Sequence, residues 1–297
     1  MNTLHKTYAM LIGATFIWGI QPLCIKWLAA AWTPVTITTM RYFLIGAFLL
    51  GLSLLRGEGI VPRKDCIMPL LAMGVTGIGI NNVLQFTGLQ ISTVTNCTLI
   101  AAASPAITAC LAAWWIRERL SGKAWIGILL SFLGAIVVVS HGSWEVIRHV
   151  AFNRGDIYFL VAQVAWTTYS IMGVQVMKKM PPVLTTGWAG ICGALITLLY
   201  GTITQEFQVT MLEGSLWASF GYTVIFGGIM AMLFWNIGVK NAGPSITAIF
   251  QNVTPVVGMI GGSLAFAEQA GCQELLGAVL IFGGVYLTTH SKRPARA

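Results

Sequence analysis

With 297 residues, 56% of them hydrophobic and only 9% charged, the chain lies outside the composition of soluble domains, where about 25% of residues carry charge. Its net charge of +8 would suit a nucleic-acid partner. However, the basic residues stand singly or in pairs between apolar runs, a pattern that orients a chain in a lipid bilayer, so no nucleic acid is expected. The six cysteines show no CxxC spacing and the four histidines have no carboxylate cluster beside them, so neither a metal site nor a cofactor is expected.

About 20 apolar residues, each rising about 1.5 Å, cross about 30 Å of hydrocarbon. On that measure the sequence predicts ten spans, at residues 8–30, 35–55, 67–88, 93–116, 124–140, 156–176, 183–204, 216–239, 244–266 and 272–289. The first could pass for a secretory signal, since Ala29 and Ala31 mimic a cleavage site. It is longer than a signal core and has a counterpart later in the chain, so it is read as a retained span.

Thirteen of the 17 Lys and Arg fall on one side of this arrangement: Lys6, Arg56, Arg63, Lys64, Arg117, Arg119, Lys123, Lys178, Lys179, Lys240, Lys292, Arg293 and Arg296. The other side holds only Arg148 and Arg154. By the positive-inside rule both termini face the cytoplasm, in the plasma (inner) membrane.

A repeat runs through the spans. At an offset of 150, Gly77 meets Gly227, Gly88 meets Gly238, Pro105 meets Pro255, Glu118 meets Glu268, Gly127 meets Gly277 and Gly134 meets Gly284. Such coincidences in one register mark a duplication, with copies at 1–150 and 151–297. Five spans per copy is odd, so the second enters the membrane inverted. The turn Arg117-Glu118-Arg119 accordingly becomes Ala267-Glu268-Gln269 on the opposite face, without its arginines. The expected fold is an all-α integral membrane protein, with ten transmembrane helices as two inverted five-helix repeats around a central cavity.

The segments WGIQPLCIKWL (18–28) and PAITACLAAWWIRERLSGKAWIGILLSFLGA (105–135), with Gly155-Asp156, Trp166, Tyr169, Pro255 and Glu268, resemble the EamA family of the drug/metabolite transporter superfamily. The resemblance covers nearly the whole chain. It implies a ten-helix bundle that moves small metabolites, most often outward.

Candidate site residues follow from the cost of polar groups in hydrocarbon. Asn81 and Gln85 share a face of span three, and Gln163, Trp166 and Ser170 share one of span six, with Tyr169 beside them. Span nine offers Thr247 and Gln251 on one face with Asn252 adjacent, span eight Trp235 and Asn236, and span one Trp18 and Gln21. These amides and aromatics are expected to turn toward a common cavity; each could instead serve only as an interhelical bond. Trp18 and Trp166 occupy matching places and could flank a planar substrate or simply fill space.

Arg41, roughly 10 Å deep by the helical rise, is a docking cation for a substrate carboxylate or phosphate, or a structural tie to backbone carbonyls or Asp156. Lys26 is either a second cavity cation or a side chain reaching the headgroups. Asp156 is the acidic residue nearest the membrane and the one candidate for proton coupling. Pro22, Pro105 and Pro255 are candidate gate hinges. Gly258 and Gly262 form a GxxxG, which suits close helix packing and, secondarily, a homodimer.

These features predict a secondary transporter of a small-molecule substrate in the bilayer, an exporter working by alternating access. A phosphorylated or nucleotide-linked metabolite antiporter would need more interior cations. An intramembrane enzyme would need a nucleophile with its base or a metal set at depth, and a non-transporting receptor would need no alternating halves.

Overall fold

The computed structural model describes residues 3–57, 59–92, 94–149, 153–257 and 272–291, and these are helical with short connections and no strands. Seven helices are long and apolar enough to cross a membrane: α1 (Thr3–Leu28), α2 (Pro34–Leu55), α3 (Lys64–Ile91), α6 (Gly122–Val139), α8 (Arg154–Val176), α9 (Pro182–Ile203) and α10 (Gly214–Ala242). Between α3 and α6 run two half-length helices, α4 (Val94–Ala102) and α5 (Ser104–Trp115), and α7 (Trp144–Arg148) is a short connection. The short α11 (Pro244–Ala248) leads into a 3-10 turn, Ile249–Val253, and α12 (Cys272–Thr289) follows residues outside those described. The predicted Glu268 turn and the Gly258/Gly262 motif fall in that outside stretch.

The helix starts are written locally. Thr33 caps α2 by accepting from the Thr36 amide at 3.0 Å, with Pro34 in the first turn, where a missing N–H costs nothing. Ser121 caps α6 in the same way. Gly243, at φ +90°, turns the chain sharply from α10 into α11, a conformation that L side chains resist.

Side chains are sorted as a lipid solvent requires. Along α1, Phe16, Ile20, Leu23 and Trp27 recur on one exposed face, while Thr7, Thr15, Leu11 and Ile25 are buried. Leu275, Val279, Phe282 and Tyr286 form a similar exposed stripe on α12.

The two copies pack through equivalent helices running antiparallel. A Cβ on Gly127 would strike the Gly284 carbonyl, and one on Gly134 the Gly277 carbonyl. Because 127 corresponds to 277 and 134 to 284, α6 and α12 meet about a pseudo-twofold axis, pressed together where neither has a side chain. The same relation joins α2 to α9, where Thr39 donates to Thr197 at 2.9 Å and Gly46 lies against Gly187 and Ile191. Tyr8 donates to the Thr289 carbonyl, so α1 begins where α12 ends.

Even the irregularities repeat. The helix is π-wound at Gly74–Ile80 in α3 and at Ile225–Met230 in α10. It breaks at Ala103, ahead of Pro105, and tightens to 3-10 over Ile249–Val253, ahead of Pro255. Each proline lacks the N–H that would continue the ladder, and its ring crowds the carbonyl four residues back. Pro22, by contrast, sits inside a continuous α1 and breaks nothing.

Filling the α6–α12 contact should destabilise the bundle. Gly134→Val is expected to cost about 1–3 kcal/mol by overpacking. Gly122→Ala on the same helix, with nothing within 4 Å of its new Cβ, should be near neutral. Thermal unfolding midpoints of the two purified variants check this.

Candidate functional site

One internal cavity of about 180 Å³ lies between the copies. Its walls come from Trp18, Gln21 and Pro22 of α1, Arg41 and Tyr42 of α2, Asn81, Asn82, Gln85 and Phe86 of α3, Gln163 and Trp166 of α8, and Gly227 of α10. Both helix breaks reach it, through Ala101 and Ala102 on one side and Gln251, Asn252, Thr254 and Pro255 on the other. These positions lie in the half of the bundle away from Tyr8 and Thr289.

Trp18, Gln21, Asn81, Gln85, Gln163, Trp166, Gln251 and Asn252 thus share one space, as does Arg41. Tyr169, Trp235 and Asn236 do not line it. They stand fully buried behind the wall, where Asn236 donates to Tyr169 and to Thr186, each at 2.7 Å, and the Trp235 indole donates to Ser170 at 3.0 Å. Sequence reasoning missed Tyr42, Asn82 and Phe86, each the immediate neighbour of a residue it named.

Asn82 is present for a backbone reason. Its amide donates at 3.1 Å to the Gly77 and Ile78 carbonyls of the α3 π segment. In the second copy the same work falls to α1 and α2. Trp18 donates to the Gly227 carbonyl at 3.0 Å, and Arg41 Nη2 donates to the Thr223 carbonyl at 3.2 Å. A π turn leaves carbonyls without their α-helical donors, and in hydrocarbon a side chain must supply the replacement.

The breaks are tied to their neighbours by bonds between side chains. Gln163 donates to Ser104, Ser104 donates to Gln251, and Asn252 donates to Ser131 at 3.0 Å. Asn81 reaches the Ala162 carbonyl at 2.9 Å.

The aromatic wall is compact. Trp18 and Trp166 meet edge to face with centroids 5.7 Å apart, so no planar solute fits between them in this state. Trp235 touches both, and Trp166 lies parallel to Tyr169 at 5.2 Å.

The three charged candidates part company. Arg41 is 1% exposed, inside the cavity wall, and makes no contact with Asp156. Lys26, in the last turn of α1, is exposed and does not line the cavity. Asp156 is spent on architecture. It closes a capping box with Asn153 and accepts from Ser92 at 2.6 Å and Asn96 at 3.0 Å, tying α8 to α4 and the end of α3. No group of His, Cys, Asp and Glu among the described residues could hold a metal ion.

The family model of the EamA-like transporter family matches this chain twice, over residues 5–140 and 153–290. The chain belongs to the EamA-like transporter family. It is therefore a multi-pass membrane transporter whose two matched halves are the two copies. Among similar proteins, an "uncharacterized transporter YyaM" of Bacillus subtilis is 29% identical over 94% of this chain and 92% of its own length. An "uncharacterized inner membrane transporter YedA" of Escherichia coli K12 is 25% identical over 95% of this chain and 91% of its own. A crystal structure with 19% identity superposes with a TM-score of 0.77 over 96% of this chain and 97% of that one, which shows a shared fold.

Two outcomes follow from this geometry. Asp156→Ala is expected to lower stability by about 1–2 kcal/mol through the lost cap and to leave the pH dependence of solute flux unchanged; unfolding midpoints and a pH series of flux check both halves. Asn236→Ala, which strips Tyr169 and Thr186 of a buried partner, should cost about 1–3 kcal/mol in the same unfolding measurement.

Proposed function

We propose that this EamA-like chain is a secondary transporter of small organic metabolites, working by alternating access between two inverted five-helix repeats of a ten-span bundle. The observation that carries this reading is the cavity. Its polar groups come from both copies, and they converge where both copies depart from regular helix. Inverted repeats, discontinuous helices and a site between the halves form the combination by which one half can rock against the other around a fixed solute.

The closed side supports the same reading. On the face that holds Tyr8 and Thr289, Lys179 meets Asp65 at 2.7 Å and Glu118 accepts from Ser245 at 2.6 Å, each joining one copy to the other. With Arg and Lys crowded on that face, we assign it to the cytoplasm and assign this conformation to the outward-facing half of the cycle. The membrane is the inner one, as YedA's name says of that relative. Export is the direction we assign, as commoner in the family the chain resembles. The breaks before Pro105 and Pro255 are the hinges we propose.

Size bounds the cargo. At about 180 Å³ the cavity falls below the roughly 300–1,000 Å³ of drug-sized sites, so the solute is a small metabolite. Arg41, the single cation lining the cavity among the described residues, argues against a phosphorylated or nucleotide-linked cargo.

Reconstituted protein should carry at least one labelled member of a panel of amino acids, amines and organic acids across liposomes; no flux and no binding across the panel would sink the proposal. A second measurement tests access. In a variant whose only cysteine is Cys97, which lines the cavity, a membrane-impermeant thiol reagent should react from the side away from the termini. Reaction from the terminal side alone would reverse the assignment.

A further inference from the structure

We infer that the cavity selects small organic monoanions, with Arg41 as the group that receives the carboxylate. This rests on the cavity being the solute site and names the class of cargo it takes.

The first observation is an uncompensated charge. Arg41 is buried at 1% exposure, and no carboxylate lines the cavity among the described residues. Asp156, the buried acid of the α8 cap, is already occupied by Ser92, Asn96 and the Asn153 amide. Taking a guanidinium out of water costs several kcal/mol unless an opposite charge and hydrogen bonds replace the solvent. The protein supplies only part of that: Tyr42 and Phe86 present their rings at 5.5 and 5.6 Å from the guanidinium carbon, and Gln21 and the Thr223 carbonyl accept from Nη2.

The second observation is the count of donors left over. Nη2 is held, but Nε and Nη1 have no partner, which leaves three of the five guanidinium N–H groups unused. The Trp166 indole N–H, also on the cavity wall, has none either. Among the fully buried side-chain atoms of the wall, the unpartnered acceptor is Asn252 Oδ1. Unpartnered donors on one fixed positive charge recognise an anion and repel an amine.

The third is charge number. Lys26 does not line the cavity, so among its lining residues one cation must match the cargo. A monocarboxylate balances it, and a doubly charged phosphate would leave a buried negative charge unpaired. The remaining wall of Trp18, Trp166 and Phe86 suits an apolar body behind the carboxylate.

Calorimetric titration of the purified full chain in detergent separates the charge classes. Two sets of probes share a body and differ in charge: benzoate, benzyl alcohol and benzylamine, and pentanoate, pentanol and pentylamine. In at least one set the carboxylate should bind about tenfold or more tightly than its neutral and cationic partners. Arg41→Gln should lose that preference, and Arg41→Lys should keep part of it. An amine or alcohol binding as well as its carboxylate, no binding in either set, or an unaltered Arg41→Gln would each overturn the inference. If Arg41→Gln does not fold, the charge series on the unsubstituted chain decides alone. Carboxylate binding without flux in liposomes would instead remove the transport reading and leave this one. Flux of cations or neutral solutes undiminished in Arg41→Gln would do the reverse.

Discussion

A backbone amide or carbonyl in hydrocarbon has no water to turn to, so every departure from regular helix must be met by another part of the protein. The architecture of the cavity follows from that requirement. Each copy has a π-wound stretch and a proline-led break; side-chain donors answer carbonyls in or beside the π stretches, and bonds between side chains tie the breaks to their neighbours. Asn82, Trp18 and Arg41 donate to carbonyls in or beside the π segments. Ser104, Gln163 and Gln251 link the breaks to α8. The polar centre is thus first a repair of the backbone and then a wall for a solute.

The glycines that let the two copies touch complement this. At Gly127, Gly134, Gly277 and Gly284 the backbones of α6 and α12 come close enough that a methyl group would collide. Those helices form a close seam that reaches the second break, where Asn252 donates to Ser131 of α6. The elements that bound the cavity are the irregular ones, α3, α4, α10 and the 3-10 turn after α11, along with α1, α2 and α8.

Arg41 shows how a group can be structural and remain chemically unsatisfied. Nη2 ties α2 to α10 and α1, while Nε and Nη1 are left without partners. Gly227 allows this, since a Cβ there would collide with Gln21 and disturb its approach to Arg41. The two readings of Arg41 open at the level of sequence, a tie to carbonyls and a docking cation, describe different nitrogens of one side chain. A tie to Asp156 does not form, because that carboxylate caps its own helix.

Seven of the ten expected spans, the lipid-facing chemistry and the duplication were legible in the sequence because each depends on local quantities: hydropathy over about 20 residues, the step between glycines, and one register of 150. Prolines 105 and 255 marked the breaks for the same reason, since a missing N–H acts on its own helix. The rotation of each helix was not legible. Tyr169, Trp235 and Asn236 carry the same polar signature as Gln163, Trp166 and Gln251, yet they sit behind the wall. A π turn adds a residue and shifts every face beyond it, and nothing in the run from Ile225 to Met230, ahead of Trp235 and Asn236, announces that shift. The sequence by itself determined the solvent, the helices and their pairing into two copies; only the tertiary structure decided which polar atoms are used up, because their partners lie up to 200 residues away and depend on helix rotations that no local pattern encodes.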